Sequence, residues 1–238
     1  MTTQLFEGFS QEALDFLVQV RLNNSREWYE KNKPLYKQYL IKPFQGLVSD
    51  LSHIVLEIDP LFEIAPSVNK TLSRLNRDTR FSKDKSLYRS AMWLTFKRPK
   101  SEWTGAPAFF FEISPESFRY GMGYYSATRE SMDTFRKMMD EDLARFDRAF
   151  DFLNRQEIFA VEGEMYKRTL APSLPDTLRQ WYDRKNIYLV HNSSQVERLF
   201  SPAIADDLAE GFRMLEPIYQ YLLKVEARKE SDAASAKY

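Results

Sequence analysis

The order of periodic segments in this chain predicts an α+β fold, a single domain whose mainly antiparallel central sheet is covered by N- and C-terminal helices. Three observations lead there. Apolar residues recur at helical spacing up to about residue 58. Three strand-like runs rich in Phe, Tyr and Trp then follow between residues 91 and 125. Helical spacing returns after them and holds almost to the end. A doubly wound α/β chain would alternate strands with helices throughout.

Ser10 is a residue type that caps helices, and Ala13, Leu14, Phe16, Leu17 and Val20 follow it at helical spacing. Asn23-Asn24-Ser25 breaks this helix. Ser25 then caps a second one over about Arg26 to Tyr39, anchored in the core by Trp28, Tyr29 and Tyr36 and interrupted at Pro34. Pro43 suits the first turn of a third helix through Phe44, Leu47, Leu51 and Val55. Lys70 to Leu75 is short and extended. Ala91 to Phe96, Ala106 to Ile113 and Phe118 to Tyr125 read as strands, with Ser114-Pro115-Glu116-Ser117 a hairpin turn between the last two. The run Phe109-Phe110-Phe111 suggests a strand buried on both faces. Helices are expected over Thr128 to Met139, Asp142 to Arg155 and from Pro175-Asp176, with short strands near Met165 and at Ile187 to Val190. Ser201-Pro202 opens the longest helix, striped by Ile204, Leu208, Phe212, Leu215, Ile218 and Leu222. The expected organisation is an extension over residues 1–8, one domain over 9–225, and a polar tail over 226–238 that frays.

Composition removes several classes of chemistry. With no cysteine there are no disulfides, thiolate nucleophiles or Cys-based zinc sites. Two histidines, His53 and His191, leave little material for a His-rich metal site or a hydrolase triad, and no metal ligands are assigned. His53 falls within the third helix, where a satisfied histidine is the ordinary case. No apolar run approaches 18 residues and the N-terminus lacks a basic-then-apolar leader, so a cytoplasmic protein without a membrane partner is expected. The formal net charge is zero, which weakens the case for a broad nucleic-acid or membrane surface. No cofactor or oligomeric state is indicated. GxxxxGK[ST], GxSxG and HExxH are all absent.

The chain departs most from ordinary composition between Arg74 and Arg89. Arg74, Arg77, Arg80, Lys83, Lys85 and Arg89 face only two acids there, Asp78 and Asp84. Asp78-Thr79 and Ser82-Lys83-Asp84 favour turns, because short polar side chains bond their own backbone. A surplus of four positive charges must be met by acids elsewhere in the fold or by an anion from outside. On the second reading Arg77, Arg80, Ser82, Lys83, Lys85, Tyr88 and Arg89 bind phosphate or carboxylate, Arg as a planar fork and Lys as a movable point charge. Asn24, Arg26 and Tyr88 are candidates for the rim of the same site, with Lys167 and Arg168 more distant candidates. Asp78 and Asp84 are then the available general bases. On the first reading the segment is an ion-pair network, which mimics a site, and Arg80 is paired and buried.

A nucleic-acid module is the rival function, since Phe81, Tyr88 and Trp93 are interleaved with the bases and suit stacking. Asn23-Asn24-Ser25-Arg26 also serves as a plain helix corner. Gly121-Met122-Gly123 lacks the third glycine of a dinucleotide fingerprint, so its glycines are read as room for a neighbouring backbone.

Taken together, these segments resemble the domain-of-unknown-function 2461 family. The matching residues are Asn23-Asn24-x-Arg26-x-Trp28-Tyr29-x-x-Asn32, Arg77-Asp78-Thr79-Arg80-Phe81-Ser82-Lys83-Asp84-Lys85 with Tyr88, Gly123-x-Tyr125 with Arg136, and Lys167-Arg168. Leu87 and Ala127 stand where the family usually has proline, which implies less rigid loops there. The resemblance spans about Phe9 to Leu223. It implies one α/β-type domain and names no activity, substrate or catalytic residue.

Overall fold

The computed structural model describes residues 6–80, 82–99, 105–124 and 127–235. Phe81, Tyr125 and most of the N-terminal extension lie outside the described residues. Helix α1 (Gln11–Leu22) starts after Ser10 and buries its Ala13, Leu14, Phe16, Leu17 and Val20 stripe. Helix α2 (Arg26–Tyr36) is capped by the Ser25 hydroxyl, which accepts from the Trp28 N–H at 3.2 Å. Pro34 lies inside α2 without ending it. A π-helical turn over Lys37–Ile41 leads directly into α3 (Lys42–Ile58). The third helix is therefore not a separate element. Pro43 has no N–H to give the preceding turn, and a π turn is where a helix absorbs such an irregularity.

The sheet contains β1 (Met92–Phe96), β2 (Ala108–Ile113), β3 (Phe118–Gly123), β4 (Ala160–Glu162) and β5 (Tyr188–Ser193), in the order β1-β2-β3-β5-β4. It is antiparallel, and the fold class is α+β. Strands β2 and β3 form a hairpin closed by the Ser114 N–H on the Ser117 carbonyl at 2.8 Å. Strand β4 pairs with β5 in the register Ala160↔Val190, Val161↔Leu189, Glu162↔Tyr188. It lies just ahead of the position expected from the sequence, where Met165 makes only an isolated bridge to Arg184. Helices α4 (Arg129–Glu141), α5 (Leu143–Phe150), α6 (Asp176–Tyr182) and α7 (Ala203–Ser235) complete the fold, α4 capped by Thr128 and α5 by Asp142.

The described residues group into two compact units. The first comprises residues up to Lys97 together with Phe110–Tyr120 and Asn192–Arg213. Its core joins Phe9 and Phe44, 4.9 Å apart, to Phe111 of β2 at 6.1 Å from each, and Phe96 of β1 to Phe212 of α7 at 6.3 Å. Each such ring contributes about 1.5–3 kcal/mol when buried. Two readings from the sequence need correction here. Phe110 is not buried. Strand alternation turns it away from Phe109 and Phe111, and the Arg119 guanidinium covers it at 5.8 Å. Trp28 is half-buried, lying against Phe16 at the edge of the core.

The second unit comprises Arg98–Phe109, Gly121–His191 and Met214–Tyr238. Phe135, Phe146, Phe150, Trp181 and Tyr221 form its aromatic core, with Phe146 and Phe150 stacked at 4.4 Å. The glycines of β3 do make room for backbone. A Cβ on Gly121 would lie 1.9 Å from the Leu189 carbonyl oxygen, and one on Gly123 2.4 Å from that of Ile187. Helix α7 continues through its polar end to Ser235, where Arg228 pairs with Asp232 at 2.9 Å and Lys137 of α4 meets the same carboxylate at 3.1 Å.

Candidate functional site

The basic segment folds into a ribbon within the first unit. The N–H groups of Ser73 and Arg77 donate to the carbonyls of Trp93 and Leu87, and those of Arg89 and Thr95 return to Leu75 and Thr71, all at 2.8–2.9 Å. Residues 71–77 thus run antiparallel to residues 87–95. Bridges at Leu72↔Leu94 and Asn76↔Tyr88 are four residues apart on one side and six on the other. The two extra residues form a bulge beside Ser90-Ala91, of the kind that re-aims side chains.

Asn24 holds the base of this ribbon. Its Oδ1 accepts from the N–H groups of Leu87 at 2.6 Å and Tyr88 at 3.1 Å, and its Nδ2 donates to the Tyr88 carbonyl at 2.8 Å and the Val20 carbonyl at 3.1 Å. One amide therefore satisfies three backbone groups of the ribbon and one of α1. Tyr88 is buried, its ring stacked on Tyr29 at 4.3 Å. Arg26, on the first turn of α2, is exposed.

At the tip the two acids divide the bases between them. Arg77 pairs with Asp84 and also donates to the hydroxyls of Ser86 at 3.0 Å and Ser82 at 3.3 Å. Arg80 grips Asp78 with two bonds, Nε at 2.9 Å and Nη2 at 2.6 Å. Arg80 is paired, yet its side chain is 77 % exposed, so it is not the buried partner that a structural network requires. The Arg80 guanidinium, with the Arg80 N–H, pulls the Asp78 carboxyl down to about 2. The Ser86 N–H and hydroxyl and the Arg77 guanidinium lower that of Asp84. Both carboxylates are consequently weak proton acceptors at neutral pH, whatever their position.

Six bases less two paired leaves four: Arg74, Lys83, Lys85 and Arg89. None of these four has an ion pair among the described residues. Lys85 donates to the Thr79 carbonyl at 2.9 Å. Lys83 and Arg74 are exposed. Arg89 lies over the Trp93 ring at 4.9 Å and gives one amino group to the carbonyls of Arg74 at 3.2 Å and Asn76 at 3.4 Å. Its remaining N–H groups have no partner among the described residues.

Two hollows flank the ribbon, and Arg89 and Trp93 line both. One, of about 480 Å³, brings together Asn24, Arg77, Asp84, Ser86, Tyr88 and Arg89, with Arg21 and Glu112. Its charges are nearly balanced, since Arg21 is held by Glu116 at 2.6 Å and Glu112 by Arg119 at 2.8 Å. The other, of about 320 Å³, is lined by Lys70, Arg74, Arg89 and Lys97 against the single acid Asp78. Asn69, Thr71, Ser73, Asn76 and Thr95 supply neutral polar groups around Trp93. Asp78 is already neutralised by Arg80 and Lys70 is held by Glu63 at 3.0 Å, so the surplus of positive charge in this hollow rests on Arg74 and Arg89.

Lys70 and Lys97 fall outside the basic motif and were missed in the sequence. Lys97 was legible: Trp93 and Thr95 of β1 and Lys97 just past its end alternate along the chain. Lys70 reaches the hollow only through the return of the ribbon. Lys167 and Arg168 are exposed residues of the second unit. Arg136, also of the second unit, is a buried clamp that donates to the carbonyls of Tyr182 at 2.7 Å and Arg184 at 2.6 Å. Among the described residues no cluster of His, Asp or Glu is placed to hold a metal ion, and no helix is long and apolar enough to cross a membrane.

No curated protein and no solved structure matches the chain. One family model does, described as a conserved hypothetical protein family, and it covers residues 12–221 of the 238. The chain belongs to that family, DUF2461.

Proposed function

We propose that the protein binds a small anionic molecule, phosphate- or carboxylate-bearing, in the hollow of the basic ribbon. Arg74 and Arg89 supply the charge, Lys70 and Lys97 line the rim, Ser73 and Thr95 are the neutral donors, and Trp93 is a flat wall. Arg77, Arg80 and Lys85 shape the tip, and Lys83 stands free beside it. The observation that supports this reading is the unpaired surplus: four bases of the motif find no acid among the described residues. Like charges held together cost free energy that an arriving anion relieves. Arg89 is also half-prepared, its guanidinium positioned by two carbonyls and an aromatic face while further donors stay open. The hollow lies at the lower end of the size range of small-molecule pockets.

The nucleic-acid reading draws less support. Tyr88, one of its stacking rings, is buried against Tyr29. Trp93 alone remains beside the bases among the described residues, and stacking along a strand uses several rings in succession.

The test is a low-salt thermal-shift screen of phosphorylated and carboxylated metabolites, run beside a gel-shift series with oligonucleotides. Stabilisation by one class of small anion, lost in Arg89→Ala, is the expected result. No shift with any anion at low salt would count against the proposal, and oligonucleotide binding with a steep salt dependence would favour the rival.

A further inference from the structure

We propose that the hollow between α5 and α7 in the second unit is a separate anion site, taking a phosphoryl-bearing small molecule on Arg145, Arg148, Lys224 and the Tyr221 hydroxyl. The hollow measures about 380 Å³, and no acid lines it. Arg145 and Arg148 are three residues apart on α5, Tyr221 and Lys224 three apart on α7, a spacing that puts each pair on one helix face. None of the three bases has an ion pair among the described residues. A neighbouring hollow of about 720 Å³ has no such surplus, because Arg148 and Arg155 on its rim face Asp147 and Asp151.

Tyr221 is the independent sign of a ligand. The residue is only 3 % exposed, and its buried hydroxyl has no hydrogen-bond partner. Polar groups in that state are costly and rare. Three aromatic rings pack around its own ring. Phe135, Phe146 and Phe150 hold it edge-on, with centroids at 5.9, 6.0 and 5.4 Å. Burial pushes the hydroxyl up to about 12 against the opposing pull of Arg145, with Asp142 adding to the rise, so it remains a proton donor at neutral pH. An O–H near Arg145, in a hollow that three unpaired cations line, matches an oxygen-rich dianion better than it matches any neutral group. The site shares no residue with the ribbon hollow, so the two hold or fail separately.

The experiment is calorimetric titration of inorganic pyrophosphate into the full chain, its Tyr221→Phe variant and its Arg148→Ala/Lys224→Ala variant, with melting curves in anion-free buffer. Arg74→Ala serves as a control for the ribbon. Tyr221→Phe removes only the unpartnered hydroxyl. It should melt at or above the wild type without anion and bind pyrophosphate about tenfold more weakly at this site. The double variant should lose the site, and Arg74→Ala should keep it. Three results would overturn the proposal: no pyrophosphate binding that responds to either α5–α7 variant, a Tyr221→Phe protein that melts well below the wild type in anion-free buffer, or a short oligonucleotide that displaces pyrophosphate at matching affinity.

Discussion

Arg77 and Arg80 lie three residues apart in one motif, and each meets a different carboxylate. That division separates the residues that build the ribbon from those left to act. Asn24 belongs to the builders. Truncating it to alanine strands two N–H groups and a carbonyl of the ribbon, a loss of roughly 2–4 kcal/mol. In a chain of this size that is about 4–16 °C of melting temperature at about 2–4 °C per kcal/mol. Asn24→Asp, which keeps the acceptor oxygen, should fall between the two in a thermal melt. Arg80 and Lys83 are exposed, so their alanine variants should melt close to the wild type. A large loss in both would restore the purely structural reading. Asp78 provides a pH signature. Its folded pKa is depressed, so its contribution to stability is present above the ordinary carboxylate range and disappears as pH falls toward about 2. Carboxyl-carbon NMR should find Asp78 still ionised at about pH 3.5 in the wild type, and its midpoint raised toward, but not beyond, the unperturbed value of about 3.9 in Arg80→Ala, where the backbone N–H bond remains.

At the scale of elements, the hairpin ribbon and β3 depend on two different kinds of close fit. Gly121 admits the Leu189 carbonyl where a Cβ would clash at 1.9 Å, and backbone cannot yield as a flexible side chain does. Gly121→Ala should cost at least about 3 kcal/mol or prevent folding, visible as a loss of roughly 6 °C or more in the melt. An unchanged melting temperature would mean that the two strands are not so close. These glycines were legible in the sequence, as were Ser25 as a cap, the Ser114–Ser117 turn and the helical stripes, because each is decided by near neighbours. The π turn over Lys37–Ile41 was not. Its cause is a proline whose missing N–H can be absorbed either by a break or by a wider turn, and local pattern does not choose between them. The position of β4 was also missed. That strand has three residues and owes its existence to β5.

At the scale of the whole molecule, a formal charge of zero conceals local imbalance. The motif was visible as a surplus of four bases, and four remain after its internal pairs are removed. Which four was not visible. Arg77 with Asp84 spans seven residues and Arg80 with Asp78 only two, and spacing alone permits other partners. Nor could the sequence show that Lys70 joins Arg74 and Arg89, since that grouping depends on the ribbon's return. The central claim is that the unpaired arginines, and not the paired ones, receive an anion. The most direct measurement is side-chain ¹⁵N NMR of the arginines at low ionic strength, titrated with inorganic phosphate and with the best ligand from the screen. The Arg74 and Arg89 Nε–H signals should move together and saturate, while those of Arg77 and Arg80 stay in place. Movement of Arg80 with Arg89 unmoved, or no movement in the ribbon at any concentration, would contradict it.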